Sequence, residues 1–204
     1  MNRCSRKKCS LLFISLLLVS GLLFGQDRRR DSWQQPEAIM DSLRIRAGMI
    51  IGEAGAGDGY FTFHLAGRVG PGGRVYANDI DEDALEKLQE RMKKEEVGNI
   101  ETILAETDDP MFPPGKLDMV IMVNVFHHIE DSEEWMKNVI PGMKPGAPMA
   151  FIETDPGKRS SWRDHFLTKQ EILKRMEKTR FKFIRTFDFL ERDTIYLFSL
   201  DSAQ

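Results

Sequence analysis

Residues 52–61 read GEAGAGDGYF, with glycines at 52, 55, 57 and 59. Glycine lacks a Cβ, so it accepts left-handed backbone and lets a ligand approach the main chain. One or two glycines suffice for an ordinary turn. Gly55, Gly57 and Gly59, at every second position, exceed that need and point to a bound ligand. A helix starting at Tyr60 would aim its first amide hydrogens at the same ligand. Glu53, just before the turn, would repel a pyrophosphate but attract an ammonium group.

The spacing excludes two familiar nucleotide sites. A dinucleotide turn, G-x-G-x-x-G, would place its third glycine where Tyr60 stands, and the phosphate loop G-x-x-x-x-G-K-[ST] is absent. A nicotinamide-dependent oxidoreductase is therefore disfavoured both by spacing and by Glu53. Asp79 ends the stretch RVYAND, 20 residues after Gly59. By pattern alone it suits an exposed turn. Asp81 and Asp83 suit the cap and first turn of the next helix.

A second polar group closes another apolar run, in VNVFHHIED: Asn124, His127 and His128. An imidazole titrates near neutrality and can take a proton from a reacting group. The pair equally suits one histidine packed under a helix and one solvated cap. No metal site is expected, because spacing does not identify three convergent ligands. In DPGKRSSWRDHF, the side chains of Lys158, Arg159, Trp162, Arg163 and His165 form either a wall for an anionic or aromatic substrate or a solvated loop.

These groups must be positioned by alternating strands and helices. Helices are expected from PEAIMDSLRI, with Pro36 at the first helical position, from Tyr60 to about Val69, across DEDALEKLQERMKKEE, and from near Asp131 and Thr168. Strands are expected at GMIIGEA, RVYAND, IETILAE, LDMVIMVN and APMAFIE. FKFIRTFDFL and TIYLFSL are separated only by ERD, too short for a parallel crossover, so the last strand must run antiparallel. The fold class is thus α/β, an open doubly wound, mostly parallel seven-stranded sheet with ligands at the carboxyl ends of its central strands.

The chain has 204 residues, a net charge of -3 and two cysteines. Both, Cys4 and Cys9, lie in MNRCSRKKCSLLFISLLLVSGLLFGQ, whose basic start and apolar run resemble a secretory leader. The remainder therefore has no disulfide and no cysteine nucleophile or metal ligand. Residues 1–25 are expected to be a signal peptide or an N-terminal membrane anchor, residues 26–35 a linker, and residues 36–204 one folded domain. The apolar run is short for a membrane span, whereas the DRRRD that follows is unusual for a mature N-terminus. Either way the expected location is exported or membrane-anchored. Without the basic leader the rest is more acidic still, which argues against a nucleic-acid partner.

MIIGEAGAGDGYFTFHLA resembles motif I of the class I S-adenosylmethionine-dependent methyltransferases, an apolar strand followed by D/E-x-G-x-G-x-G. The resemblance covers about residues 36–200. It implies S-adenosylmethionine as cofactor, cradled by Glu53, Gly55, Ala56, Gly57 and Gly59. It implies that Asp79 accepts hydrogen bonds from both ribose hydroxyls, with Ile80 beside it, and that Glu106 and Thr107, or Asp108 in their place, meet the adenine. It also implies that Asn124, His127 and His128 line the methyl-transfer face, Asn124 touching cofactor and His128 serving as base. The chain lacks the D/N-P-P-Y motif of amide and nucleobase methylation, so the implied acceptor is a small or lipid-like molecule. An exported or anchored module that binds the cofactor without catalysis is the competing reading.

Overall fold

A computed structural model describes residues 29–158 and 165–201. The leader, its cleavage or anchoring, and residues 159–164 lie outside the described residues. Among the described residues no helix is long and apolar enough to cross a membrane.

Seven strands form one sheet: β1 (Ile50–Ala54), β2 (Arg74–Asp79), β3 (Ile100–Leu104), β4 (Met119–Val123), β5 (Pro148–Thr154), β6 (Phe181–Phe187) and β7 (Asp193–Leu200). Their order across the sheet is β3-β2-β1-β4-β5-β7-β6. β1 to β5 pair in parallel, and β7 runs antiparallel to both β5 and β6. This is the expected architecture, including the terminal hairpin. The chain lays β2 and β3 to one side of β1 and then returns with β4 to the other. The gap between the carboxyl ends of β1 and β4 is therefore the topological switch point, where such sheets bind ligands.

Helices α1 (Pro36–Ser42), α2 (Tyr60–Val69), α3 (Glu82–Lys94), α4 (Ser132–Val139) and α5 (Lys169–Met176) cover the sheet. The first three bury Ile39, Met40, Leu65, Val69, Leu85 and Leu88 on one face. The last two bury Trp135, Met136, Val139, Ile172 and Met176 on the other. Each central strand feeds both cores, because successive side chains leave opposite faces. In β5, Ala150 and Ile152 enter the first core, while Met149 and Phe151 enter the second. The helix starts follow local chemistry: Asp81 caps α3, Asp131 caps α4, and Thr168 with Glu171 forms a capping box on α5.

Residues 29–34, expected to belong to a linker, are helical. They dock on α2 through side chains whose periodicity was too short to read. The hydroxyl of Tyr60 donates to Asp31 at 2.7 Å, and the Arg30 guanidinium lies 3.8 Å from the centre of the Tyr60 ring. Gln34 is completely buried.

Phe151 has no exposure and stacks on Phe126 with centroids 4.3 Å apart. Since it joins β4's tip to the sheet, Phe151→Ala should cost about 3–5 kcal/mol. Urea unfolding checks this, and a loss below about 1 kcal/mol would contradict the packing described, being far under the usual large-to-small range.

Candidate active site

The glycine turn begins where β1 ends. Gly55, Gly57 and Gly59 have φ of +72°, +56° and +89°, all left-handed, a backbone that favours glycine. Two of them are also packed. A Cβ on Gly55 would lie 2.3 Å from Val125 Cγ2, and one on Gly59 would lie 2.4 Å from Leu88 Cδ1. Gly57 differs: a Cβ there would meet nothing within 4 Å. Open space faces that glycine, as a cradle for a ligand requires. Gly59 is the N-cap of α2 and supplies no side-chain cap, so the helix's first amides are left to other partners.

The tip of β2 holds this turn in place. Asn78 is buried, and its Oδ1 accepts from Gly55 N at 3.2 Å while its Nδ2 donates to Pro110 O at 2.7 Å. Its carbonyl accepts from Ala56 N at 2.8 Å. Asp79 Oδ2 accepts from Gly57 N at 2.7 Å, and Oδ1 accepts from Asp81 N at 3.0 Å. Each carboxylate oxygen has a second lone pair, so Asp79 retains capacity for two ligand hydroxyls. Asn78 was invisible as a site residue, because a polar residue near a strand end reads as a turn.

Ile80, one residue past Asp79, is 60% exposed, and Leu104 at the tip of β3 is 54% exposed. These two large apolar side chains at neighbouring strand tips make a surface suited to a flat heterocycle. Glu106 and Thr107 follow β3 and are exposed, and Glu106 N donates to Asp109 O at 2.9 Å in a tight turn. Asp108 is likewise exposed and presents its carbonyl to Asn138 at 3.0 Å.

Glu53 is 2% exposed, and its Oε2 has no hydrogen-bond partner. Burial pushes its carboxyl up to about 8, with Thr62 and Arg30 pulling it down and Asp79 adding to the rise. Asp193, at the start of β7, is 1% exposed with Oδ2 unpartnered, and burial raises its carboxyl as well. Gln34 Nε2 and Thr62 Oγ1 are also buried without a partner in hydrogen-bonding geometry, although the Thr62 hydroxyl is near enough to Glu53 to favour its ionised form. Arg30 connects this group, since it acts on both acids and donates to Gln34 Oε1 at 2.6 Å. Buried polar atoms of this kind ordinarily find a partner. An ammonium group is the partner a buried, unpaired carboxyl would favour most, so the residues present fit an amino-acid-bearing ligand.

The second polar group stands across the switch point. Asn124 has φ of +57°, which a non-glycine residue adopts only when its surroundings hold it there. Its Oδ1 accepts from Thr154 N at 2.9 Å and from Thr154 Oγ1 at 3.0 Å, so this atom ties β4 to β5 rather than facing a reaction centre. Phe126–His128 form a short 3-10 helix. Glu153 of β5 is 2% exposed, and its Oε1 accepts from Val125 N at 3.0 Å and Phe126 N at 2.8 Å. Glu153 Oε2 meets His127 Nδ1 at 2.6 Å. His128 is exposed beside it, its imidazole held below the usual value by partial burial and then by the neighbouring His127 and His165. Spacing did not identify three convergent ligands, but the fold brings three imidazoles together. His165, far along the chain, joins His127 and His128, with ligand atoms from all three within 4.8 Å of one another.

Lys158 does not line a substrate wall. Its Nζ donates to the carbonyls of Leu190 at 3.0 Å and Asp193 at 2.9 Å and pairs with Asp188. Arg159, Trp162 and Arg163 of that expected wall lie outside the described residues. Glu153, like Asn78, was missed: within APMAFIE it reads as the polar end of a buried strand.

The glycine turn and the histidine group meet through Val125, which packs on Gly55 and precedes the 3-10 helix. Known proteins share the fold. The methyltransferase domain family matches residues 53–149. The chain is thus similar to S-adenosylmethionine-dependent methyltransferases, over residues 53–149 in sequence and over most of its length in fold. A S-adenosylmethionine-dependent methyltransferase from Aquifex aeolicus superposes with a TM-score of 0.79 at 21% identity, covering 84% of this chain and 92% of that one. The geranyl diphosphate C-methyltransferase of Streptomyces coelicolor, solved with S-adenosyl-L-homocysteine, gives a TM-score of 0.68 at 15% identity, covering 85% of this chain and 81% of that one. Among curated relatives, the demethylmenaquinone methyltransferase of Lactococcus lactis is 25% identical over 166 residues, 81% of this chain and 65% of the relative. That of Listeria welshimeri is 24% identical over 127 residues, 62% of this chain and 54% of the relative. The chain thus spans about half the length of several curated relatives it matches.

The raised Glu53 carboxyl makes a stability prediction. The native protein retains a proton that the unfolded chain releases above pH 4.5, so stability falls as pH rises from 4.5 to about 8. Glu53→Gln removes that loss. Its melting temperature should exceed the parent's by more at pH 8 than at pH 4.5, and a difference that does not change with pH would contradict the buried, protonated acid.

Proposed function

We propose that this chain transfers a methyl group from S-adenosylmethionine to a small, lipid-like acceptor bearing a hydroxyl or an activated carbon. The observation that carries the reading is the buried, unpartnered Glu53 Oε2 at the mouth of a three-glycine turn whose Gly57 amide meets Asp79. Glu53 holds the donor's ammonium group, the backbone of Gly55, Ala56, Gly57 and Gly59 surrounds its amino-acid portion, and Asp79 accepts from the ribose hydroxyls. Ile80 and Leu104 flank the adenine, whose polar edge meets the turn at Glu106 and Thr107.

When bound, the donor supplies an electrophilic methyl on a sulfonium, which departs as a neutral thioether. Little further activation is required, and positioning supplies most of the effect, on the order of 7–11 kcal/mol for well-oriented partners. The fixed tip of β4 provides that positioning on the acceptor side. The imidazoles at His127, His128 and His165 form the polar face on the acceptor's side.

A lipid-like acceptor is supported by the names of the relatives, demethylmenaquinone methyltransferase and geranyl diphosphate C-methyltransferase. A leader at residues 1–25, as the sequence leads one to expect, would hold the domain at or beyond a membrane, where such molecules concentrate.

Two experiments test this reading. Asp79→Ala should weaken donor binding by about 1.5–3 kcal/mol, the range for hydrogen bonds to a charged group, and unchanged affinity in calorimetry would refute the ribose assignment. The full chain incubated with methyl-labelled donor and membrane lipid extract should yield a labelled, solvent-extractable product. Tight donor binding without labelled product would overturn catalysis in favour of a binding module.

A further inference from the structure

We propose that His127, His128 and His165 form a binding site for one divalent transition-metal ion of the zinc class, with an open position facing the methyl acceptor. Three observations carry it. Nitrogen atoms from all three rings lie within 4.8 Å of one another, close enough to share one ion. His127 and His128 rings approach to 4.0 Å between centroids, and His165 stands 5.2 Å from the first and 5.6 Å from the second.

The second observation is the support behind His127. Its Nδ1 is 2.6 Å from Glu153 Oε2, with the two side chains 3% and 2% exposed. Glu153 cannot rotate away, because Oε1 is held by the amides of Val125 and Phe126. The carboxylate thus fixes the tautomer with hydrogen on Nδ1 and leaves Nε2 as the donor atom. A buried carboxylate behind a histidine is the usual outer support of a ligating imidazole. Phe166 adds to this, packing edge-on against both His127 at 5.1 Å and His165 at 5.0 Å.

The third is access. His128 and His165 are exposed, so an ion can enter and a fourth position stays open to a small molecule. Three neutral nitrogen donors and no thiolate suit Zn²⁺, Co²⁺, Ni²⁺ or Cu²⁺ better than Mg²⁺ or Ca²⁺, which prefer oxygen. Because Val125 joins this cluster to the glycine turn, an acceptor oxygen at the open position would stand near the donor. That consequence rests on the methyltransferase reading, but the binding of the ion does not.

Cobalt(II) titrated into the chelator-treated full chain is expected to bind in one equivalent with visible d–d absorption, and zinc should displace it. His128→Ala and His165→Ala should each abolish the absorption while donor affinity by calorimetry stays unchanged, showing that the fold is intact. Glu153→Gln should weaken cobalt binding roughly 10- to 100-fold. Absence of stoichiometric binding by the parent protein, or absorption that persists in either histidine variant, overturns the site. Metal binding without donor binding would instead sink the methyltransferase reading and leave the metal site standing.

Discussion

The carboxyl end of β1 is held to the carboxyl end of β2 by three main-chain amides, and the rest of the site depends on that attachment. Gly55 N, Ala56 N and Gly57 N reach the Asn78 side chain, the Asn78 carbonyl and the Asp79 carboxylate. A turn with three left-handed glycines has a large conformational entropy to lose, and these bonds confine it to one path. With the path fixed, α2 starts at Tyr60 directly after the turn, with no side chain capping its first amides. Asp79, bonded to Gly57 N, stands at that turn partly solvated, and Glu53, two residues before it, is buried.

Opposite the turn, β4 ends in a second constrained segment. Asn124 is kept in a left-handed conformation by its bonds to Thr154, and Glu153 binds the next two amides and a histidine ring. Glu153 therefore does for the acceptor side what Asn78 does for the donor side. Both are buried polar side chains that convert a flexible strand exit into a rigid platform. Low local dielectric strengthens such bonds and makes their loss costly.

The fold was legible because its signals are local. The alternation of Met149, Ala150, Phe151 and Ile152 between two cores, the caps at Asp81, Asp131 and Thr168, and the short link between β6 and β7 all act within a few residues. The glycine turn was legible for the same reason, since its spacing records a backbone requirement directly. Asn78 and Glu153 were not, because their partners lie 23 and 28 residues away, at Gly55 and Val125. His165 joins the other histidines only through the packing of the chain after β5. The helical residues 29–34 were read as linker because their burial depends on Tyr60 and on Arg30's proximity to Glu53, neither of which leaves a periodic trace.

The central claim is that Glu53 receives the ammonium group of S-adenosylmethionine. Near pH 7 the buried carboxyl, raised to about 8, carries a proton in the free protein, and an adjacent ammonium would favour its ionised form. Calorimetric titration of the donor in buffers of differing ionisation enthalpy measures this directly. The account predicts release of a proton on binding, and a smaller release in Glu53→Gln. Binding enthalpies that are independent of the buffer, or proton uptake, would contradict it.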